Sequence, residues 1–507
     1  MFRRLISKIR EVMYRMGLIK GMKDLKELKE ININEEMYNY IDMWKALYEG
    51  YYQNIHDMEY HTIGEGTKTR RMLTLGMAKV ISEEMASLVF NEKCEINIDD
   101  DKLKKFIDDA FRRNKFNKHF QDYIEYKFAM GGMVIKPYIK DGKLVLSFTT
   151  ADCFLPISWN NQGIYEGVFL DEFKKDNKWY THLEWHLWEE RKGIDYLVIK
   201  HTLHVSDTQG QLGVDITSRF EEFFPGITKY ADFPITKRKK ANSFVYFKPN
   251  IANNKDTLSP LGISLFANAL DTLKALDTAF DSFHREFRLG KKRILIPSQM
   301  VKTVIDPNTQ EVHRYFDAND ETYEALKYNM PEDGKIQDIS VDLREEEHIN
   351  AINAHLNILA MQTGFSAGTF TFDGQSMKTA TEVISEQSKT FKSKKSHETI
   401  IESGLNELVD SIVQIAELYE IDTFTEDYEV TVAFDDSIVE DKAAELEKVV
   451  VELTNGLKPK YMIIADYYGI PEDEAKKWLQ EIKQEQIDSV PDRDEIIQST
   501  TMFGSEE

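Results

Sequence analysis

Apolar side chains recur at helical spacing over a long stretch of the chain, from Leu265 to Phe287. Ser259 and Pro260 precede this stretch, and both residue types are favoured where a helix begins. Gly290 follows it and is a residue type common just beyond a helix C-terminus. The pattern predicts one helix over residues 260–290, roughly 45 Å long at about 1.5 Å per residue. A helix of that length needs a packing partner along its apolar stripe.

A second helical pattern, over residues 342–363, supplies that partner. Asp342 and Glu345 fit a capping box at its start, and Gly364 ends it. Between the two helices, residues 291–341 have the pattern of a small α/β module. Its predicted strands are 293–296, 311–316 and 335–341, and its predicted helix is 321–328. The layout is therefore a long helix out, a small module at its far end, and a shorter helix back.

The chain before this helix pair changes its hydrophobic period near Gly131 and Gly132. Apolar residues first recur three and four apart, and then they alternate, which indicates strands. Asp141 and Gly142 favour a tight hairpin turn within the alternating part. The predicted helices are 34–52, 69–90 and 101–130, and the predicted strands are 133–139, 144–148, 163–173, 179–188 and 196–205. Residues 1–255 are thus expected to form an α+β unit, and the whole chain to be α+β and mainly helical.

A glycine- and aromatic-rich loop follows Gly364, and a helix of about 40 residues is predicted from Thr379 to Tyr419. Its residues 385–399 are polar on almost every face, a pattern typical of a helix that lines solvent or a channel. A strand over 428–434 is expected to return to the first unit. The predicted helices beyond it are 440–453, 460–468 and 472–486.

Charge excludes one broad class of function. The 507 residues carry a formal charge of −23, so the chain is not a uniformly basic nucleic-acid binder, and any DNA contact must be local. Residues 1–30 oppose this trend with nine Lys/Arg against four acids at amphipathic spacing. That segment either docks on its own domain or contacts a partner protein or an anionic surface. No apolar run reaches the length of a membrane helix, so no membrane partner is expected.

The sequence offers little enzyme chemistry. It contains no Walker A run, no HExxH motif and no nucleophile elbow, so it is not expected to be an ATP-driven motor, and no cofactor is expected. His182, Glu184 and His186 alternate along one strand and could hold a metal with help from His201 or His204. The alternative function is therefore a metal-dependent hydrolase built on this cluster. Trp185 and Trp188 surround these residues and the spacing fixes no third ligand, so the absence of a metal site is the simpler interpretation.

Three stretches of the chain, together with the order of elements, resemble the portal proteins of tailed bacteriophages, closest to the siphophage type from Gram-positive hosts. These stretches are 68–92, with Lys-Thr-Arg-Arg-Met at its start, 284–293, and 365–370 with Thr379-Ala380-Thr381-Glu382-Val383. The resemblance covers nearly the whole chain and rests on architecture plus these stretches. It implies a structural protein without enzymatic activity, whose subunit has wing, stem, clip and crown regions and assembles into a ring with a central channel. The implied regions are the wing (1–259), the stem (260–290 and 342–363), the clip (291–341), the tunnel loop (364–378), the tunnel helix (379–420), a strand returning to the wing (424–439) and the crown (440–507).

The resemblance also implies partners and a location. It implies a homo-oligomeric ring of about twelve subunits at one capsid vertex, through which double-stranded DNA is packaged and ejected without sequence recognition. The terminase large subunit, a head-completion or adaptor protein, and the major capsid and scaffolding proteins are the implied partners. The expected location is the virion, after assembly in the host cytoplasm.

Candidate channel residues fall into three groups, each with a simpler alternative. The basic groups would contact passing DNA, or else form solvated helix faces paired with acids such as Glu286 and Glu398. The loop would line the narrowest point of the channel, or else be an ordinary surface connection. The stem–clip group is Arg285, Arg288, Lys291, Lys292 and Arg293; the tunnel-helix group is Lys389, Lys392, Lys394 and Lys395; the loop group is Phe365, Phe370, Phe372, Gln375, Ser376 and Lys378.

Overall fold

The computed structural model describes residues 35–62, 66–91, 93–236, 241–290, 294–295, 302–305, 312–315, 337–338, 342–372, 380–425, 427–434, 442–468 and 470–488. The chain divides into two compact units, Met1–Asp435 and Asp436–Glu507. The basic segment 1–30 lies outside the described residues. No helix of the described ranges is long and apolar enough to span a lipid bilayer.

The first unit combines helices with several antiparallel sheets. Its described helices are α1 (Glu35–Tyr48), α2 (Gln53–His56), α3 (Met77–Val89), α4 (Asp101–Arg113), α5 (Phe116–Met130), α6 (Phe220–Phe223), α7 (Leu270–Leu289), α8 (Glu345–Gln362) and α9 (Ala380–Leu418). Its described strands are β1 (Asp57–Thr62), β2 (Gly66–Arg71), β3 (Glu95–Ile98), β4 (Met133–Lys140), β5 (Lys143–Thr150), β6 (Phe154–Trp159), β7 (Ile164–Lys175), β8 (Lys178–Arg191), β9 (Ile194–Ser206), β10 (Val214–Asp215), β11 (Tyr230–Pro234), β12 (Val245–Phe247), β13 (Ile294–Leu295), β14 (Lys302–Ile305), β15 (Val312–Tyr315), β16 (Gln337–Asp338) and β17 (Val430–Ala433).

The predicted β-rich part is confirmed. β4 and β5 form the hairpin, and Asp141 and Gly142 adopt φ values of +51° and +69° at its turn. β12 adds to β4 to complete a three-stranded sheet. β6 to β9 pair in chain order in a six-stranded sheet, in which β10 and β11 both pair with β9. Alternation places residues such as Leu183 and Trp185 in the core of this large sheet.

Two of the predicted N-terminal helices have different bounds. The predicted helix 69–90 is wrong in its first part, because residues up to Arg71 form β2 and only Met77–Val89 is helical. Gly76 stands between them with a φ of +70°, a backbone conformation that a helix interior does not allow. The predicted helix 101–130 is divided into α4 and α5 at Lys115, whose φ is +50°.

The first long helix is shorter than the sequence pattern predicts. α7 begins at Leu270, so the prediction of a helix from Pro260 is wrong for its first ten residues. In that stretch Leu261, Ile263 and Phe266 are all buried in the core, and the backbone bonds to α5 through the Leu265 N–H and the Phe128 carbonyl, 2.9 Å apart. Because this segment is buried on several sides, its apolar residues also occur three and four positions apart, although the segment is not helical.

α8 packs against α7 and returns along it, as predicted. It begins at Glu345 rather than Asp342, and Arg344 occupies the N-cap without a side-chain cap bond, so the predicted capping box is not formed. Instead, the first turn contains three consecutive acids, beginning at Glu345, and their negative charges stabilise the positive end of the helix dipole.

The module between α7 and α8 is described only at short strands. β13 pairs with β16, and these strands overlap two of the predicted ones. β14 pairs with β15, of which only β15 was anticipated from the sequence. The predicted helix 321–328 lies outside the described residues.

The long third helix and the returning strand match their predictions. α9 is 39 residues long. β17 pairs antiparallel with β3, with Val430 opposite Ile98, which returns the chain to the first unit. The second unit contains α10 (Lys442–Asn455), α11 (Lys460–Tyr468) and α12 (Glu472–Asp488), close to the predicted bounds.

Candidate functional site

Two buried aspartates on α7 attach this helix to the segment that follows the β1–β2 hairpin. Asp277 accepts hydrogen bonds from the Leu75 N–H at 2.8 Å and from the Thr74 hydroxyl at 3.0 Å. Its other oxygen lies 3.2 Å from His56 Nε2. Asp277 is 6 % exposed, so these partners satisfy a carboxylate that water barely reaches. α7 is thereby fixed in position at its middle.

Asp281 repeats this arrangement one turn further along α7. It accepts two bonds from the Arg70 guanidinium, at 2.8 and 2.5 Å, and one from the Leu73 N–H at 3.2 Å. The Arg70 hydrogen bonds are the main cause that lowers the pKa of Asp281. Sequence reasoning missed both aspartates. Their signal is a pair of acids four apart that interrupts the apolar face of α7.

The C-terminal end of α7 presents part of the predicted stem–clip basic group. Arg285 and Arg288 are exposed there. Glu286 between them pairs instead with Arg344 at the start of α8, 2.9 Å away. Hydrogen bonding to Arg344 lowers the pKa of Glu286 to about 2. Lys291, Lys292 and Arg293 lie outside the described residues, so two of the five predicted cations are placed.

The described part of the glycine- and aromatic-rich loop is held against the protein. Asn357 Oδ1 accepts from the Gly368 N–H and Asn353 Oδ1 accepts from the Phe372 N–H, both at 2.8 Å. Thr390 Oγ1 on α9 accepts from the Ser366 N–H at 2.9 Å. The loop therefore bridges α8 and α9.

The aromatic side chains of this loop face the core rather than solvent. Phe365 is fully buried, so the prediction that it lines a channel is wrong. Its ring packs edge-on against Phe370, which is partly buried. Phe372 packs against Phe280 and Phe283 of α7, with ring centroids 6.4 and 5.8 Å away. Gln375, Ser376 and Lys378 lie outside the described residues.

The four predicted lysines of α9 do not share one environment. Lys389, Lys392 and Lys395 are exposed. Lys394 is only 1 % exposed, and its Nζ lies 3.1 Å from Glu398 Oε1 within the same helix. The prediction that Lys394 lines a channel is therefore wrong. Its burial follows from position, because Lys394 and Glu398 continue the stripe of Ile401, Leu405 and Leu408 that faces the core.

A second buried lysine lies where α5 meets this part of α9. Lys127 is fully buried, its Nζ has no hydrogen-bond partner in the part of the chain that the structure describes, and it lies 4.1 Å from the centre of the Phe128 ring. Burial lowers the pKa of Lys127 to about 7. Burial, and then the nearby Lys127, lower the pKa of His397 to about 3.

The predicted histidine cluster exists, but with a different membership. His182 Nε2 on β8 lies 3.0 Å from His201 Nδ1 on β9, and one atom each of His182, Glu184 and His201 fall within 4.8 Å of one another. His186 lies on the other side of Glu184, where its Nε2 is 2.9 Å from Glu184 Oε1. His204 is three residues from His201 and is not part of this group. His201 thus replaces His186 in the predicted set.

At neutral pH the two histidines of the cluster are neutral and Glu184 is ionised. Burial lowers the pKa of His182 and of His201 to about 4, so both imidazoles are neutral. Burial acts to raise the pKa of the Glu184 carboxyl, but its ion pair with Lys136, helped by His186, outweighs burial and lowers that pKa. The rings of Phe220 and Phe224 cover the two imidazoles, with centroids 5.2 Å from His201 and 4.6 Å from His182. Such an enclosed group offers no open position for a substrate.

Comparison with known proteins gives the family. The family model described as phage portal protein, SPP1 Gp6-like, matches residues 28–488, which is nearly all of the chain. A search of curated proteins found no match. Portal proteins are structural components of the phage capsid that serve DNA packaging, so the predicted resemblance to phage portal proteins is confirmed, while the predicted host type stays a prediction. The chain belongs to the SPP1 Gp6-like family of phage portal proteins.

Proposed function

We propose that this portal protein forms a closed ring at one capsid vertex and that double-stranded DNA is packaged and ejected through the centre of the ring. Family membership supports a homo-oligomer with capsid and terminase partners in general. One structural observation carries the proposal for this chain, namely an apolar stripe that a single subunit leaves exposed on α8.

The stripe consists of Ala351, Ala354, Ile358 and Met361. These residues are spaced by three, four and three positions, so they share one face of α8. Ile358 is 42 % exposed and Met361 is 48 % exposed. The opposite face of the same helix, with Ile352, Leu356 and Leu359, is buried.

A helix that is apolar on two faces requires two packing partners. α7 covers one face of α8, and a neighbouring copy of the same chain would cover the other. When this stripe contacts a different surface of the next copy, the contact generates a head-to-tail ring if the rotation closes. We infer about twelve copies from the family resemblance.

We assign the regions of the subunit as in a portal ring. The wing comprises residues up to 259, the stem is 260–290 and 342–363, which contain α7 and α8, and the clip is 291–341. The tunnel loop is 364–378, the tunnel helix is 379–420, residues 424–439 return to the wing, and the crown is 440–507. We propose that the clip docks the terminase and later the head-completion or adaptor protein. Major capsid and scaffolding proteins would surround the assembled ring, which forms in the host cytoplasm before it becomes part of the virion.

The exposed cations are the proposed points of DNA contact. Arg285 and Arg288 at the end of α7, and Lys389, Lys392 and Lys395 on α9, supply exposed positive charge in a chain of formal charge −23. Each neutralised phosphate adds affinity that depends on salt, so a uniformly basic channel would hold DNA in place. A few cationic positions on an acidic subunit permit contact without retention.

Ring formation is tested by replacing one residue of the stripe. We expect Ile358→Lys to abolish rings, or to reduce them at least about tenfold, because a charge at a packed interface has no partner. Negative-stain imaging and the mass of the particles in solution measure the result. Ile194→Lys is the matched control, since Ile194 is 38 % exposed at the first position of β9. Normal rings from Ile358→Lys, or wild-type chains that never form rings, would contradict the proposal.

A further inference from the structure

The histidine group in the large sheet has the composition and spacing of a metal site. Two donors of a tetrahedral zinc ion at about 2.0–2.1 Å lie roughly 3.3 Å from each other. His182 Nε2 and His201 Nδ1 are already 3.0 Å apart. The Glu184 oxygen lies within 4.8 Å of both, so a side-chain movement of about 1.5 Å brings it into range.

The protonation states of the two histidines allow such a site. The direct contact between the two nitrogens requires the N–H of one ring to donate a hydrogen bond to the unprotonated nitrogen of the other. On metal binding, that ring moves its proton to its second nitrogen, so both facing nitrogens offer a lone pair. No net proton leaves the pair of imidazoles in this exchange.

The surroundings hold the proposed ligands in place. His182 lies on β8 and His201 on β9, and Glu184 is directly opposite His201 in the register of these strands. The second oxygen of Glu184 is held by His186, whose Nδ1 lies 2.7 Å from Ser243 Oγ. Outer partners of this kind orient metal ligands and raise their affinity.

Lys136 is the group with which a metal ion must compete. Its ammonium forms an ion pair with Glu184 and is only about a tenth exposed at the side chain, so it now supplies the positive charge that the buried carboxylate requires. A divalent ion that binds Oε2 of Glu184, the oxygen that Lys136 contacts, displaces the lysine from it. Removing the lysine charge should therefore strengthen metal binding.

We propose that His182, His201 and Glu184 bind a divalent ion of borderline softness, Zn²⁺ being the best match, and that this ion joins β8 to β9 beneath α6. Two imidazoles and one carboxylate are a donor set that zinc uses widely. Three protein donors leave the fourth tetrahedral position to a water molecule. The rings of Phe220 and Phe224 cover the two imidazoles, so a substrate has no access to that position. This inference is independent of ring formation and of DNA passage.

The test is a titration of the full-length, metal-free chain with Zn²⁺, and with Co²⁺ as a coloured substitute. We expect one equivalent to bind, to raise the thermal midpoint, and to give the visible absorption of tetrahedral Co²⁺. X-ray absorption of the wild-type chain with one equivalent of Zn²⁺ should show two imidazole nitrogens and a carboxylate oxygen as ligands. This measurement needs no variant, so a variant that fails to fold does not remove the test.

The chain has twelve histidines, so variants are needed to show which of them bind the ion. We expect His201→Gln to weaken Zn²⁺ binding at least about 100-fold, since loss of an outer partner alone costs about 10- to 100-fold. His204→Gln, a buried histidine three residues away, is the control and should bind as the wild type does. Lys136→Met should bind about tenfold more tightly. Absence of a bound equivalent in the wild type, or equal binding by His201→Gln and wild type, would overturn the proposal.

Discussion

Lys127 shows how a single residue can oppose the stability of the subunit. Its side chain is fully buried, and among the residues that the structure describes an aromatic ring and His397, rather than an anion, lie beside it. A buried ammonium without a counter-ion loses its hydration and is destabilised relative to the neutral amine. Folding therefore removes the proton from about half of these side chains at pH 7, at a cost in free energy.

Replacing Lys127 by methionine should stabilise the protein. Methionine keeps most of the volume and removes the group that must lose a proton on folding. We expect the free energy of unfolding to rise by roughly 2–4 kcal/mol at pH 7, since one pKa unit corresponds to about 1.4 kcal/mol. Urea denaturation of the full-length chain measures it. Lys118→Met, at an exposed position of α5, is the control and should change stability by less than about 0.5 kcal/mol.

The same substitution has a defined pH dependence. The pKa of Lys127 is about 7 in the folded chain and 10.5 when the chain is unfolded and the side chain is hydrated, so between these values the unfolded chain binds a proton that the folded chain lacks. Wild-type stability therefore gains from this group as pH rises from 7 to 10.5. The advantage of Lys127→Met should shrink over that window. A difference between the two proteins that is constant with pH would contradict the assignment.

At the scale of residues, the sequence shows which residues are charged, but it did not predict which of the charged side chains are exposed to solvent. Lys389, Lys392, Lys394 and Lys395 stand in a segment that is polar on every face, so periodicity could not separate them. The structure buries Lys394 because the apolar stripe of α9 extends into the polar half. His201 was one of two possible helpers of the metal cluster, and the strand register selected it.

Helices and strands were predicted well where a pattern arises from one buried face. The alternation that predicted β7, β8 and β9 and the turn at Asp141 and Gly142 are both local properties. The start of α7 was predicted wrongly because the residues before Leu270 are buried against α5. α5 is distant from them in the sequence. Propensity cannot register such tertiary contacts.

Arg70 and Asp281 form the ion pair that attaches α7 to the β1–β2 hairpin. Asp281→Asn keeps the shape of the side chain but removes the charge that Arg70 faces across two hydrogen bonds. We expect a loss of about 1–3 kcal/mol in the free energy of unfolding. Amide hydrogen exchange at Leu73, which bonds to the same carboxylate, should become faster.

Asp271→Asn, at an exposed position of the same helix, is the matched control for this attachment. It should change stability by less than about 0.5 kcal/mol and should leave the Leu73 amide protected. Equal effects of the two substitutions would show that Asp281 contributes no more than a surface charge does.

At the scale of the whole molecule, charge is distributed unevenly. Residues 435–507 hold nineteen acids against eight basic residues, and residues 1–30 hold nine basic residues against four acids. In the proposed ring, every charge of one subunit is repeated around the axis. A small number of exposed lysines per subunit therefore becomes a continuous cationic belt in the proposed assembly.

The cationic belt formed by α9 predicts how strongly the binding of DNA to the ring depends on salt. We expect the triple variant Lys389→Gln, Lys392→Gln and Lys395→Gln to form normal rings but to bind DNA with a weaker dependence on salt. The slope of log K against log salt should fall by about 0.9 for each phosphate contact that is lost. Packaged DNA should fall as well when the variant replaces the wild-type portal in infected cells. Titrations of purified rings with duplex DNA over a range of salt concentrations measure the slope.

A control that removes the same charge elsewhere decides whether position or net charge matters. Lys118→Gln, Lys140→Gln and Lys143→Gln together remove three exposed charges from α5 and from the β4–β5 hairpin. If α9 faces the DNA, this control keeps the wild-type slope, because charges that do not touch phosphate release no counter-ions. If both triple variants lower the slope equally, DNA responds to the total charge of the ring, and α9 is not the lining of the channel.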